Sequence, residues 1–334
     1  MNISSLGDLA QSYAMKSRNT ALKSDLQRLV QEVTTGQVAD KRDVVTSNAA
    51  YVSDLERSLT KLEGYELATF ESGQHAAAAQ SALDRVSTLN AEFRDTILVA
   101  GNMGFGETAG RILLQAKGTL DDMIGTLNTS VAGRSIFSGT ATDRSPLAST
   151  EDLLAGLGAA VAGAGSVDDI LATAEAWFDD PAGFGTTGYL GSDRSLAAVS
   201  LSDQNSVQWG LRADDPILRD TLRNLAVASL AGDPALGLTD AQQSELIQKS
   251  VASVMNADVG LINLRTQIGF NESRIEAISV RNGAERAALS MARSDLLSVD
   301  PFEAATELEQ VQFQLQSLYA ITARMSQTSL VNYL

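Results

Sequence analysis

Apolar side chains along the first 130 residues recur at the spacing of one helical face. Leu22, Leu26, Leu29 and Val33 step by four, three and four residues, and Thr34-Thr35-Gly36 then interrupts them. Val52, Leu55, Leu59 and Leu62 resume the pattern. Leu83, Val86, Leu89 and Phe93 carry it past the alanine run at 76–79. The stretch Gly101-Asn102-Met103-Gly104-Phe105-Gly106 predicts a turn, and Leu113, Ala116, Leu120, Met123 and Leu127 a further helix.

The last 124 residues repeat the pattern with clearer punctuation. Asp215-Pro216 places a capping carboxylate before a first-turn proline, and Gly232 ends that helix. Thr239 with Gln242 reads as a capping box. Inside the helix it opens, Val254, Leu261, Ile268 and Ile275 recur every seven residues. Ala257, Leu264 and Ile278 fill the second seam position, and Leu289 and Leu296 rejoin the first series after the polar Asn282. Asp300-Pro301 with Glu303 then starts a last helix. Its seam is Ala304, Leu308, Val311, Leu315, Leu318, Thr322, Met325 and Ser329.

Residues 133–210 differ in texture, holding 11 of the 26 glycines and both tryptophans. Val207, Trp209 and Leu211 alternate with Gln208, Gly210 and Arg212, which predicts a strand. Ile136-Phe137 between Gly133 and Gly139 predicts another, and Ser166 with Asp169 predicts a capped helix through Trp177. The chain therefore reads as mainly α. It predicts a long antiparallel coiled-coil-like helical bundle formed by the N- and C-terminal arms, with a small α+β insertion in the middle. The expected divisions are a terminal coiled-coil (polymerisation) domain at 1–38 and 300–334, a helical rod domain at 39–132 and 211–299, and a mixed α+β outer domain at 133–210.

Composition narrows the function classes. The net charge of −16 repels phosphate backbones and anionic membranes, which argues against nucleic acid and membrane surfaces as partners. The absence of cysteine and the single histidine remove thiol nucleophiles, iron–sulfur clusters and the usual zinc sites. The start, Met1-Asn2-Ile3-Ser4-Ser5-Leu6-Gly7-Asp8, lacks the basic and apolar blocks of a cleavable signal peptide. The longest uncharged apolar-leaning stretch, Leu153 to Val167, is too short to span a bilayer.

Candidate chemistry is thin. His75 sits beside an alanine run with Glu71 as its nearest helical acid, so it reads as a structural residue. The pairs Asp121-Asp122, Asp168-Asp169, Asp179-Asp180 and Asp214-Asp215 lack calcium-loop spacing and read as caps and turns. The glycines at 101, 104 and 106 are not followed by a phosphate-loop lysine. The reading is of no enzyme: no catalytic residue, no cofactor and no metal.

The terminal seams carry the most information. One two-helix pair buries a single seam and hardly offsets the entropy of ordering two long ends. The ends are therefore expected to be poorly ordered in a solitary chain and to order when neighbours add surface, which favours an assembling protein. The expected assembly residues are Leu22, Leu26, Leu29 and Val33 from the front and Leu308, Val311, Leu315, Leu318 and Met325 from the back.

The tail from Leu315 to Leu334 and its run-up Asp300-Pro301-Phe302-Glu303-Ala304-Ala305-Thr306-Glu307-Leu308 resemble the C-terminal helix of bacterial flagellins. Leu29-Val30-Gln31-Glu32-Val33-Thr34-Thr35-Gly36 resembles the segment that follows the family's N-terminal helix. Gly133-Arg134-Ser135-Ile136-Phe137-Ser138-Gly139-Thr140-Ala141-Thr142-Asp143-Arg144-Ser145-Pro146-Leu147 is similar to a stretch of the family's hook–filament junction members, with Ser135-Ile136 where they carry a tyrosine. Val207-Gln208-Trp209-Gly210-Leu211-Arg212-Ala213 is similar to their later strand. The resemblance implies a structural component of the bacterial flagellum that adapts the hook to the filament. It also implies export, unfolded and without a cleavable signal, to the cell exterior. The implied partners are the chain itself, the adjacent hook-associated junction protein, flagellin and a flagellar export chaperone. Filament flagellin shares the tail motif and stays an alternative, as does, from another class, a cytoplasmic coiled-coil adaptor.

Overall fold

The computed structural model describes residues 3–39, 41–103, 106–233 and 236–331. It is 75% helical. The order is α1 (Ile3–Thr35), α2 (Lys41–Met103), α3 (Gly106–Leu127), β1 (Ser130–Val131), β2 (Arg134–Ser135), α4 (Thr150–Val161), α5 (Val167–Asp179), α6 (Phe184–Thr187), β3 (Val199–Ser200), β4 (Ser206–Val207), α7 (Pro216–Leu230), α8 (Asp240–Leu297) and α9 (Pro301–Val331). The length of α2 and α8 follows from proline placement. None of the five prolines falls inside either helix, and Pro216 and Pro301 occupy the first turns of α7 and α9, where no amide partner is lost.

The predicted helix starts are realised as hydrogen bonds. The Asp215 carboxylate accepts from the Ile217 amide at 3.1 Å. Thr239 and Gln242 cap each other reciprocally, at 3.0 and 3.4 Å. Asp300 accepts from the amides of Phe302 (2.8 Å) and Glu303 (3.3 Å).

The chain forms two compact units. One comprises the residues up to Glu63 together with those from Gly283 onward, and the other runs from Gly64 to Asn282. In the second, central unit, α2 and α8 pair through an apolar seam flanked by polar contacts. Asn90 donates to the Val254 carbonyl (3.3 Å) and to Asp258 (2.7 Å), Arg94 pairs with Asp258, and Arg265 with Asp84 at 2.6 Å. The seam residues Val254, Leu261, Ile268, Ile275, Ala257, Leu264 and Ile278 are all buried. Helices α3 and α7 pair in the same unit, and their apolar faces join one continuous core with α2, α4, α5 and α8.

The strand readings need correction. The sheet at 130–135 is a two-residue antiparallel pair that ends at Ser135, so Ile136 and Phe137 are buried in a bend and not in a strand. The reason lies next to them. Gly139 has φ +61°, and a Cβ there would come within 2.4 Å of the Arg194 carbonyl and 2.8 Å of that of Ser192. The chain bends so that Thr140 can donate to Arg194 O and Ser192 to Ser138 O, both at 2.9 Å. The second predicted strand is likewise cut to Ser206–Val207. Trp209 beyond it stays buried, but the Ala213 amide turns to the Phe137 carbonyl at 2.9 Å instead of continuing a ladder. The predicted turn at 101–106 is narrower than read: α2 runs to Met103, α3 starts at Gly106, and positions 104 and 105 lie outside the described residues.

Candidate assembly surface

Helix α1 stops where the sequence breaks. Gly36 takes φ +67°, a left-handed conformation that glycine adopts freely, and its amide closes the helix on the Glu32 carbonyl at 2.8 Å. Glu32 is buried. It pairs with Arg28 at 2.9 Å and accepts from the Ala39 amide at 3.0 Å, so one carboxylate fixes the exit of the chain. The break between α8 and α9 lies against this one. The Val38 amide donates to Leu297 O at 3.0 Å, the Val299 amide to Gly36 O at 3.1 Å, and Gln37 and Ser298 face each other as an antiparallel bridge. From this clasp α1 and α9 run side by side in opposite directions.

The nine expected assembly residues all lie on these two helices. Leu22, Leu29 and Leu315 are buried, joined by Ala304. Leu26, Leu308, Val311, Leu318 and Met325 are half-buried, and Val33 is exposed. The pair thus covers the middle of its seam and leaves the flanks open. The side chains of residues 326–331 lie outside the description, Ser329 of the expected seam among them.

A second apolar face escaped the seam reading. Phe302 is 82% and Phe313 70% exposed on it; Tyr319 and Ile321, roughly 120° and 80° round the helix from Phe313, and Tyr13 on α1 are open as well. Phe302 and Phe313 are eleven residues apart, three helical turns, so they project within roughly 20° of each other. They point away from Leu308, Val311 and Leu315. The eleven-residue spacing was readable in the sequence, but a seam search at three and four passes over it. Only Glu303, Glu307, Glu309 and Arg324 carry charge between 301 and 331. Such a face gains chiefly by meeting other apolar surface.

The acidic pairs are taken up in structure, Asp122 facing Arg85 at 3.7 Å. Asp121 accepts from Thr150 at 2.6 Å, Asp168 pairs with Lys249, Asp179 with Arg219, and Asp214 with Arg212. Asp169 caps α5 with Ser166, Asp180 accepts from the Ala182 amide, and Asp215 caps α7. Burial pushes the Asp215 carboxyl up from its ordinary value and the Tyr189 phenol well above its own. The Tyr189 hydroxyl is tied to the Ser192 carbonyl at 2.9 Å. His75 lies against Trp209 with no acid or nucleophile bonded to it. No cluster of potential metal ligands occurs among the described residues, and no helix there is long and apolar enough to cross a membrane.

Comparison with known proteins places this geometry. The profile of the bacterial flagellin N-terminal helical region matches residues 8–142, and that of the bacterial flagellin C-terminal helical region matches residues 243–334. No curated protein matches the sequence. FlgL from Bacillus cereus is similar in fold, with a TM-score of 0.53 at 16% identity, over 72% of this chain and 99% of that one. A provisionally assigned flagellar hook-associated protein from Vibrio parahaemolyticus is similar with a TM-score of 0.51 at 13% identity, over 75% of this chain and 97% of that one.

Proposed function

The chain belongs to the bacterial flagellin family, and from that premise we propose that it is a hook–filament junction protein that assembles through its terminal helices. Its role in the flagellum is structural and not enzymatic. The half-open pair of α1 and α9 carries the proposal. A closed pair has no further use for apolar surface, whereas this one leaves Val33 on α1 and Phe302 and Phe313 on α9 in water. Leu22, Leu26, Leu29 and Val33 on α1, and Leu308, Val311, Leu315, Leu318 and Met325 on α9, form the seam that copies extend.

The junction position, in preference to the filament, draws its support from the stretch 133–147 and its bend at Gly139, and from the likeness in fold to two hook-associated proteins. On this reading the chain leaves the cell unfolded and without a cleavable signal. It then meets copies of itself, the adjacent junction protein on the hook side and flagellin on the other, and an export chaperone covers the apolar face of α9 beforehand.

A deletion strain separates the positions. Intact hooks that shed filament into the medium identify a junction protein, and hooks in a culture devoid of filament subunit identify flagellin. Complementation with Leu315→Asp is expected to fail although the central unit folds. Normal joining of hook to filament in that strain removes the proposed role of the α1–α9 seam.

A further inference from the structure

We propose that His75 and Trp209 form an acid-released fastening between helix α2 and the segment that follows β4, opened when the imidazole takes up a proton. The imidazole is the only one in the chain. It lies 4.5 Å from the Trp209 indole, centre to centre, with 33° between the planes. Trp209 is buried, and so are Ser72, Ala76 and Ala79 on the neighbouring turns of α2. Both imidazole nitrogens are shut off from solvent and have no hydrogen-bond partner. A phenyl ring would fill this place without leaving a donor and an acceptor unsatisfied. What the imidazole adds is the capacity to become charged where charge is not tolerated.

The surroundings oppose the charged form. The cation that acts on the ring is Arg134 of β2. Helix α8 meets this turn of α2 through Ile275, which lies 4.0 Å from a Cβ placed at Gly73. The strand side offers Trp209 between the neutral Gln208 and Gly210, and Glu71, one turn back on α2, is exposed. The indole face itself favours a cation. Burial and the Arg134 charge outweigh it, lowering the imidazole to about 4 from an ordinary 6.5.

The sign of the pH effect follows. The unfolded segment binds a proton between pH 6.5 and 4 that the closed fastening refuses. His75 thus leaves the closed state at full strength above pH 6.5, and opening gains steadily as the pH falls towards 4. The opening equilibrium shifts by roughly 300-fold in all, the antilogarithm of the separation of the two values, about half of which is reached at pH 4 and the rest below it. A protonated ring moves to water, Trp209 loses the surface beneath it, and the β3–β4 hairpin loosens from α2. The inference is independent of where in the flagellum the chain stands.

The single histidine makes the test direct. In the full-length chain at low concentration, the Cε1–H proton resonance of His75 is expected to titrate well below pH 6. In a Trp177→Phe background, where Trp209 is the sole indole, emission is expected to shift to the red with the same midpoint. His75→Phe is expected to abolish that step, and Arg134→Gln to move it upward in pH. A His75 resonance titrating near 6.5 overturns the proposal, and so does an emission step that persists unchanged in His75→Phe. If Trp177→Phe disturbs the fold, the resonance and its displacement by Arg134→Gln decide alone.

Discussion

Helix α8 within the central unit and helix α9 in the terminal unit read alike along the sequence and close very differently. Val254, Leu261, Ile268, Ile275 and their second-position partners on α8 are all below a tenth exposed, whereas on α9, among the seam residues whose side chains are described, only Ala304 and Leu315 reach that state. Both helices also show aromatics to solvent, Phe270 on one and Phe302 and Phe313 on the other, so the contrast lies in the seam and not in the outer face. The cause is the number of neighbours. The α8 seam faces α2 within a core that also holds α3, α4, α5 and α7. The α9 seam has α1. An apolar repeat determines that a helix forms and which face it turns inward. How completely the face closes depends on how many other faces arrive. A family member that builds a polymer has those other faces in further copies of itself.

The widest expected consequence is in local stability. In dilute solution, amides of residues 12–35 and 301–325 are expected to exchange with solvent on the order of a thousandfold faster than those of the α8 seam, because opening the α1–α9 pair exposes so little surface. Equal protection in both units breaks the comparison, and with it the argument that assembly completes the pair. Core truncation comes next. Phe137→Ala and Leu261→Ala, each removing a side chain with almost no exposure, are expected to lower the cooperative unfolding free energy by about 3–5 and 2–5 kcal/mol. Leu29→Ala, as deeply buried but in the terminal unit, is expected to leave that main transition within about 0.5 kcal/mol while weakening assembly. Urea melts of the three variants, followed by far-ultraviolet dichroism, check the contrast.

Much of this architecture was legible because its signals are local. Asp215-Pro216, Thr239 with Gln242 and Asp300-Pro301 each mark a helix start within four residues, and each is a real cap. The seven-residue repeat of α8 marks its buried face for the same reason. Helix α4 is not legible in the sequence, although Ser149 caps it by accepting from the Asp152 amide at 3.1 Å, because its run of Leu, Gly and Ala lacks a polar face to set the period. The strands were over-read because alternation reports burial, and Val207 and Trp209 are indeed both buried, while the hydrogen bonds that end a ladder come from distant residues such as Ala213 and Phe137. The clasp between 36–38 and 297–299 was invisible for that reason too: its partners lie some 260 residues apart. Of the candidate surface, the two helices and the face that buries Leu22, Leu29 and Leu315 were legible, and the degree of closure, down to the exposed Val33, was not.

Matched caps sharpen the comparison at smaller scale. Asp215→Ala and Asp300→Ala each remove a side-chain acceptor at a helix start, at a cost of about 1 kcal/mol apiece. In the central unit the loss is expected in the main unfolding transition. In the terminal unit it is expected as roughly fivefold faster exchange in the first turn of α9, with the main transition unmoved. An equal drop in the main transition for both variants means that the two units unfold as one.

The smallest test has the opposite sign. Gly118 on α3 and Gly283 on α8 are helical glycines around which a built Cβ meets nothing within 4 Å. Alanine at either place restricts the unfolded chain and disturbs no neighbour, so each substitution is expected to stabilise its own helix by about 0.5–1 kcal/mol. Gly118 lies in the central unit and Gly283 in the terminal one. The Gly118→Ala increment is therefore expected as a rise in the main thermal midpoint, and the Gly283→Ala increment as slower amide exchange along 283–297 at an unchanged midpoint. A chain in which both substitutions raise the midpoint equally has a terminal unit as cooperative as its core. Such a terminal unit has no need of neighbouring copies to hold it together.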